Sequence, residues 1–363
     1  MIIFLIALGL LCLYGISIPF IKTKKPSDGN TYYKDYLSLD KTNAIKGIFI
    51  IIVFLSHSSQ FVTMAPSLPD RAYDILIGTI IGQSMVSLFL LYSGYGVMLS
   101  IDKKGKNYIK SIPSKRVLKV LLHFAIAVVI FGLVQLALGK TFSIYEYLFS
   151  LIGWESLGNS NWYIFVILCL YFLTFIAFTI AKENKRLGLG MTFILSVLLL
   201  TAMIIFKGEN YWYDTILCYP LGMAYYLFQE KIESFLFKNK VNWYIALAIT
   251  AAGYIAAFML RKYLPFTLLR HLLFGLTVVL FTQKVSINNK ILRFFGKHLF
   301  SIYILQRLPM LVLQHFGFTN RYLFTIVTFV ITILLAVPFD YLLGQLDKIL
   351  FSNQNKLTKE KRS

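Results

Sequence analysis

Residues 44–61 read AIKGIFIIIVFLSHSSQF, an apolar run of helical length that carries a lysine near its start and a histidine well inside. On a helix turning 100° per residue, Lys46 and His57 are offset by about 20° after three turns and separated by about 16 Å of rise, so they share one face. Ionisable side chains within a membrane span mark function by default. A cation at the inner edge suits an anionic ligand, and an imidazole farther in suits proton transfer near neutral pH. Two plainer readings stand beside these: an interhelical hydrogen bond for His57, and a snorkelling inner-edge lysine for Lys46.

The surrounding chain supports a membrane setting. Its 363 residues are 58% hydrophobic and only 14% charged, with a mean hydropathy of +0.69, too apolar for a soluble domain of this length. An apolar stretch of about 20 residues spans the hydrocarbon. Eleven candidates follow, near residues 1–21, 44–63, 75–99, 117–139, 161–181, 187–206, 211–229, 241–260, 264–283, 298–316 and 322–344. The expected fold is therefore an all-α polytopic membrane protein with about eleven transmembrane helices. The first run lacks a basic leader and is followed by KTKKP, so it reads as a retained helix with its amino end outside. Alternating sidedness then places the basic residues on inner segments, leaving only Arg71, Lys140, Lys207, Arg261, Lys262, Arg270, Arg307 and Arg321 for the outer side or the membrane. The formal charge of +20 is thus explained by the positive-inside bias, without nucleic acid as a partner. Cys12, Cys169 and Cys218 lie in apolar runs with no metal spacing, and no metal is expected. Loops are too short for a soluble domain, so chemistry belongs to the bundle. The longest outer segment, residues 140–161, is half apolar and aromatic and reads as re-entrant or interfacial.

LSLDKTNAIKGIFIIIVFLSH, residues 37–57, resembles the opening of the integral-membrane acyltransferase-3 family, with Leu39, Asp40, Lys46 and His57 at the matching positions. LFLLYSGYGVML (88–99) is similar to the family's Ser-Gly-aromatic segment through Ser93, Gly94 and Tyr95. NWYIFVILCLYFL from Asn161 resembles its Trp-led helix, and LRFFGKHLFSIYILQ (292–306) its late Gly-x-x-Ser-x-x-Tyr segment. Two positions depart from the pattern. Lys46 stands where arginine is commoner, keeping charge but losing a bidentate fork, and Gln306 stands where many members have a second histidine. The resemblance divides the chain into residues 1–36, an extra helix and basic linker; 37–345, the membrane domain; and 346–363, a basic inner tail.

The resemblance implies transfer of an acyl group, usually acetyl from cytoplasmic acetyl-CoA, to a sugar hydroxyl of a glycan or its lipid-linked precursor. Many relatives carry an added extracytoplasmic domain that finishes the transfer, and envelope-synthesis partners could serve that role here. His57 would be the general base or nucleophile, with Glu155 as its orienting carboxylate. Lys46, helped by Lys115 and Arg116, would hold the CoA phosphates. Ser93, Tyr95, Trp162, Arg270, His271 and Arg307 are the candidate acceptor-binding residues, although packing or interfacial roles suit several equally well. The competing reading is a polysaccharide or lipid exporter in which His57, Arg270 and Arg307 line a path. Lysine outnumbers arginine threefold, which points to an AT-rich bacterial genome, and the expected location is the plasma membrane, with the amino end outside and the carboxyl end cytoplasmic.

Overall fold

The computed structural model describes residues 1–17, 32–63, 67–182 and 184–351. Residues 18–31, which include the linker's Lys22, Lys24 and Lys25 and the end of the expected first span, and the tail 352–363 lie outside the described residues. The chain is an all-α polytopic membrane protein. Among the described residues, six helical stretches are long and apolar enough to cross a membrane: Leu68–Ala137, Trp162–Ile180, Lys185–Phe206, Val241–Met259, Leu264–Lys284 and Arg321–Phe351.

The helices, in chain order, are α1 (Ile2–Tyr14), α2 (Leu39–Ser59), α3 (Leu68–Asp74), α4 (Ser84–Ile112), α5 (Lys119–Ala137), α6 (Ile144–Leu151), α7 (Trp162–Ile180) and α8 (Lys185–Phe206). They continue with α9 (Cys218–Leu236), α10 (Lys240–Met259), α11 (Leu264–Lys284), α12 (Lys290–Lys297), α13 (Leu299–Leu305), α14 (Arg307–His315) and α15 (Arg321–Phe351). α5 shows the pattern behind the assignment. Phe124, Ala127, Val128, Phe131 and Gln135 recur at helical spacing and are buried, while Val129, Leu133 and Leu136 on the other face are exposed. A helix with an apolar exterior as well as an apolar interior suits hydrocarbon as its solvent.

Two compact units organise these elements. The first comprises residues 1–56, 64–109 and 176–297; the second comprises 57–63, 110–175 and 298–363. In the first unit, helices approach at backbone contact through glycines. A Cβ on Gly94 would lie 2.0 Å from the Tyr219 carbonyl oxygen, and one on Gly222 would lie 1.9 Å from that of Leu91, so α4 and α9 touch backbone to backbone. The same relation joins α2 to α12, where Cβ atoms on Gly47 and Gly296 would lie 1.9 Å and 1.8 Å from the carbonyls of Leu292 and Asn43. Small residues at such crossings are how membrane helices gain dispersion contact without a hydrophobic driving force. A two-residue antiparallel pair, Ile16–Ser17 with Ser286–Ile287, also belongs to this unit.

Three expected spans are interrupted. α1 ends at Tyr14, 13 residues long, short of the ~20 residues that cross the hydrocarbon, because Gly15 caps it and the chain pairs as a strand. The third span is π-helical over Ile75–Ile81 and breaks at Gly82, whose φ of +44° lies in the region that favours glycine. The tenth divides between α13 and α14 at Gln306. Pro309 lacks the N–H that would bond the Leu305 carbonyl, and its ring crowds that group.

Candidate active site

His57 lies in the last turn of α2, within the second unit. Neighbouring contacts fix that turn: Ser58 Oγ is 2.8 Å from Thr325 Oγ1 on α15, and the rings of Phe61 and Phe324 stack with centroids 6.4 Å apart. His57 is half-buried. Its Nδ1 lies 3.5 Å from Ser160 Oγ.

Ser160 is presented by a loop that bonds to itself. After α6, whose start carries a Ser143–Glu146 capping box, the chain turns through Gly153 and Gly158 with φ of +82° and +101°. Asn159 Oδ1 accepts from the Leu157 amide at 3.0 Å, and Ser156 Oγ donates to the Asn159 carbonyl at 2.7 Å. Asn161 Nδ2 donates to the carbonyls of Gly153 and Glu155 at 2.9 Å and 3.0 Å. Gln135 of α5 secures the loop by donating to the Leu157 carbonyl at 2.8 Å. This segment, expected to be re-entrant or interfacial, is a short capped helix followed by a rigid turn.

The opposite wall comes from α13 and α14. The Tyr303 ring centroid lies 6.4 Å from that of His57 and 5.5 Å, edge to face, from that of Tyr163. Tyr303 Oη, Gln306 Oε1 and Arg307 Nε are buried without hydrogen-bond partners among the described residues. Arg307 Nη1 donates to Gln60 Oε1 at 3.2 Å, and the guanidinium sits 5.1 Å from the Phe61 ring centroid. Among the described residues no carboxylate pairs with it. A cation with its own Nε unsatisfied, beside two further orphaned polar atoms, is a site built to receive something.

Several expected site residues have other surroundings. Glu155 contributes its backbone carbonyl to the loop, and the group set against His57 Nδ1 is Ser160. Trp162 is buried with its ring edge to face with Tyr163 at 6.0 Å. Lys115 is exposed in the π-helical turn Pro113–Leu118, and Arg116 in the same turn faces the Tyr171 ring at 5.9 Å. Ser160 and Tyr303 had not been singled out from the sequence, although Tyr303 occupies the tyrosine of the late motif.

The remaining candidates belong to the first unit. Lys46 is half-buried, and among the described residues its ammonium has no hydrogen-bond or ion-pair partner. Ser93 is half-buried beside the close-packed Gly94. Tyr95 Oη donates to Gln229 Oε1 at 2.8 Å. Gln229 in turn bonds Glu233, which accepts from Tyr36, and Tyr36 lies 2.7 Å from Tyr225. His271 is fully buried between Ser84 Oγ and Asp214 Oδ2, each at 3.0 Å. Arg270 Nε lies 3.2 Å from His271 Nε2, and the guanidinium lies 3.8 Å from the same carboxylate.

Residues 39–341 match the family model described as an acyltransferase domain, the acyltransferase-3 model. The chain belongs to this acyltransferase family. It is a membrane acyltransferase, and the match covers both the helix bearing Lys46 and His57 and the segments bearing Ser160, Tyr303 and Arg307. Searches of curated proteins and of solved structures find no match.

Proposed function

We propose that this acyltransferase moves acetyl from cytoplasmic acetyl-CoA to a sugar hydroxyl of a cell-surface polysaccharide or its lipid-linked precursor, with His57 as general base. The observation that carries the reading is the meeting of His57, Ser160, Tyr303 and Arg307, where Tyr303 Oη, Arg307 Nε and the neighbouring Gln306 Oε1 have no hydrogen-bond partner among the described residues.

For Nε2 to take a proton, the Nδ1 of His57 must carry hydrogen and donate it to Ser160 Oγ. The separation of 3.5 Å is long, as such bonds often are before substrate tightens them. Nε2 removes the acceptor hydroxyl proton as that oxygen attacks the thioester carbonyl. The carbonyl oxygen gathers negative charge, which Tyr303 Oη and Arg307 Nε, one helical turn apart, are free to meet. The C–S bond then breaks, the proton returns from His57 to the departing sulfur, and CoA leaves with the ester formed. Lys46, on the same helix as His57, offers an unpartnered ammonium to a CoA phosphate, with Lys115 and Arg116 as further inner cations. The proposed setting is a bacterial plasma membrane, amino end outside and carboxyl end in the cytoplasm, with envelope-synthesis proteins as partners.

Proton NMR of surface polysaccharide tests this in a deletion strain complemented with native protein or His57→Ala at matched expression. Acyl signals should return with native protein and not with His57→Ala. Unchanged acylation with a fall in exported polysaccharide would instead establish an exporter.

A further inference from the structure

The first unit holds a cavity of about 820 Å³, between its π-helical turn and the segments joining α8 to α9 and α10 to α11. That volume falls within the ~300–1,000 Å³ typical of small-molecule sites. Its lining is more polar than such sites usually are, and the polarity is organised. Asp214 lines it with only 2% of its surface exposed. One carboxylate oxygen is held by His271, itself fixed by Ser84, while the other, Oδ1, is buried with no hydrogen-bond partner among the described residues. A rigid, orphaned carboxylate oxygen calls for a donor that the protein does not supply.

Three cations also line the cavity, Arg270, half-buried, and Arg261 and Lys262, both exposed, against one further carboxylate, the exposed Glu209. Among the described residues, neither Arg261 nor Lys262 pairs with a carboxylate, and Arg261 donates only to the Phe258 carbonyl at 3.1 Å. The loop carrying them is pinned, since Thr267 Oγ1 donates to the Arg261 carbonyl at 2.6 Å. Tyr211, exposed on the facing segment, adds an aromatic face. An orphaned carboxylate selects hydroxyl donors, unpaired arginine and lysine select an anion, and an accessible aromatic ring selects a flat apolar sugar face.

We infer that this cavity is a binding site for an anionic saccharide, its hydroxyl donating to Asp214 and its acidic group lying against Arg261 and Lys262. The inference rests on the acyltransferase reading above, because such a saccharide would be a unit of the acceptor glycan. Arg270 and His271 then serve the acceptor by holding Asp214, and His271, fully buried and outside the cavity lining, does so without touching it.

Binding to the purified full chain, measured by titration calorimetry without acyl-CoA, tests the site independently of any transfer chemistry. The probes are a glucuronate-containing disaccharide, its neutral methyl ester, and inorganic phosphate. The proteins are native, Arg261→Gln/Lys262→Gln and His57→Ala. The charged disaccharide should bind native protein and His57→Ala about tenfold or more tighter than the ester, as paired charge-assisted bonds allow, and the double variant should lose that preference. Both substituted cations are exposed, so the fold is retained. No binding, equal binding of acid and ester, an unchanged preference in the double variant, or phosphate binding as tightly as the disaccharide would each overturn the assignment. Failure of this binding test would leave the polysaccharide NMR comparison of native protein with His57→Ala standing, and failure of that comparison would leave the binding measurable.

Discussion

Replacing Gly94 by alanine places a Cβ 2.0 Å from the Tyr219 carbonyl oxygen, where 3.0 Å is the closest approach that real Cβ atoms show. The obstacle is backbone, so no rotamer relieves it, and α4 and α9 must separate locally by about 1.0 Å. Forcing extra volume into a packed contact of this kind costs about 1–3 kcal/mol. Gly96, two residues along the same helix, has nothing within 4 Å of its added Cβ. There the substitution should be neutral or stabilising by about 0.5–1 kcal/mol, from the lower helix propensity of glycine. The assay is thermal unfolding of the detergent-purified protein at one fixed scan rate, because such unfolding is commonly irreversible. Gly94→Ala should lower the apparent Tm by about 3 °C or more and Gly96→Ala should not lower it. Equal effects at the two positions would refute the claim that α4 and α9 meet backbone to backbone, and with it the packing that holds Ser93 and Tyr95.

Tyr303→Phe removes a hydroxyl that has no hydrogen-bond partner among the described residues, so its apparent Tm should be unchanged or raised, while the transfer rate falls about 10²-fold if the hydroxyl meets the developing oxyanion; calorimetry and steady-state kinetics on one preparation read both. Ser160→Ala should lower kcat about tenfold with KM for the acyl donor little changed, since Ser160 orients His57 and not the donor; a change confined to KM would contradict this. Glu146 accepts from the Ser143 amide and hydroxyl, which holds its carboxyl below its usual value of 4.5. A lowered folded pKa contributes stability above the ordinary value and loses it as pH falls through the lowered one. Amide exchange at the start of α6 should therefore accelerate only below about pH 4.5, and Glu146→Gln, which removes the titrating group, should abolish that dependence.

Much of the fold was legible because hydrocarbon imposes one rule on the backbone, and long apolar runs such as 161–181 and 187–206 satisfy it as helices whatever their neighbours. The breaks were less legible. Residues 298–316 are apolar throughout, and the division at Gln306 follows from the single missing N–H of Pro309, which hydropathy does not weigh. Residues 1–21 read as one span, yet Gly15 ends the helix and Ile16–Ser17 pairs with a segment about 270 positions away. In the site, His57 stood out because an imidazole in a span is rare. Ser160 and Tyr303 did not, since serine and tyrosine are ordinary among membrane helices and their value here lies in which groups are left unpartnered, a property of packing alone. Asp214 was missed for the same reason, and His271 carries its influence through that carboxylate.

The most direct test follows acetyl from labelled acetyl-CoA onto the host polysaccharide, using purified protein in nanodiscs and comparing native, His57→Ala and Lys46→Gln. The account predicts label on the glycan with native protein. It predicts a loss of about 10² or more in kcat with His57→Ala, and a raised KM for acetyl-CoA, overcome by excess donor, with Lys46→Gln. Native rates of labelling by His57→Ala would contradict it.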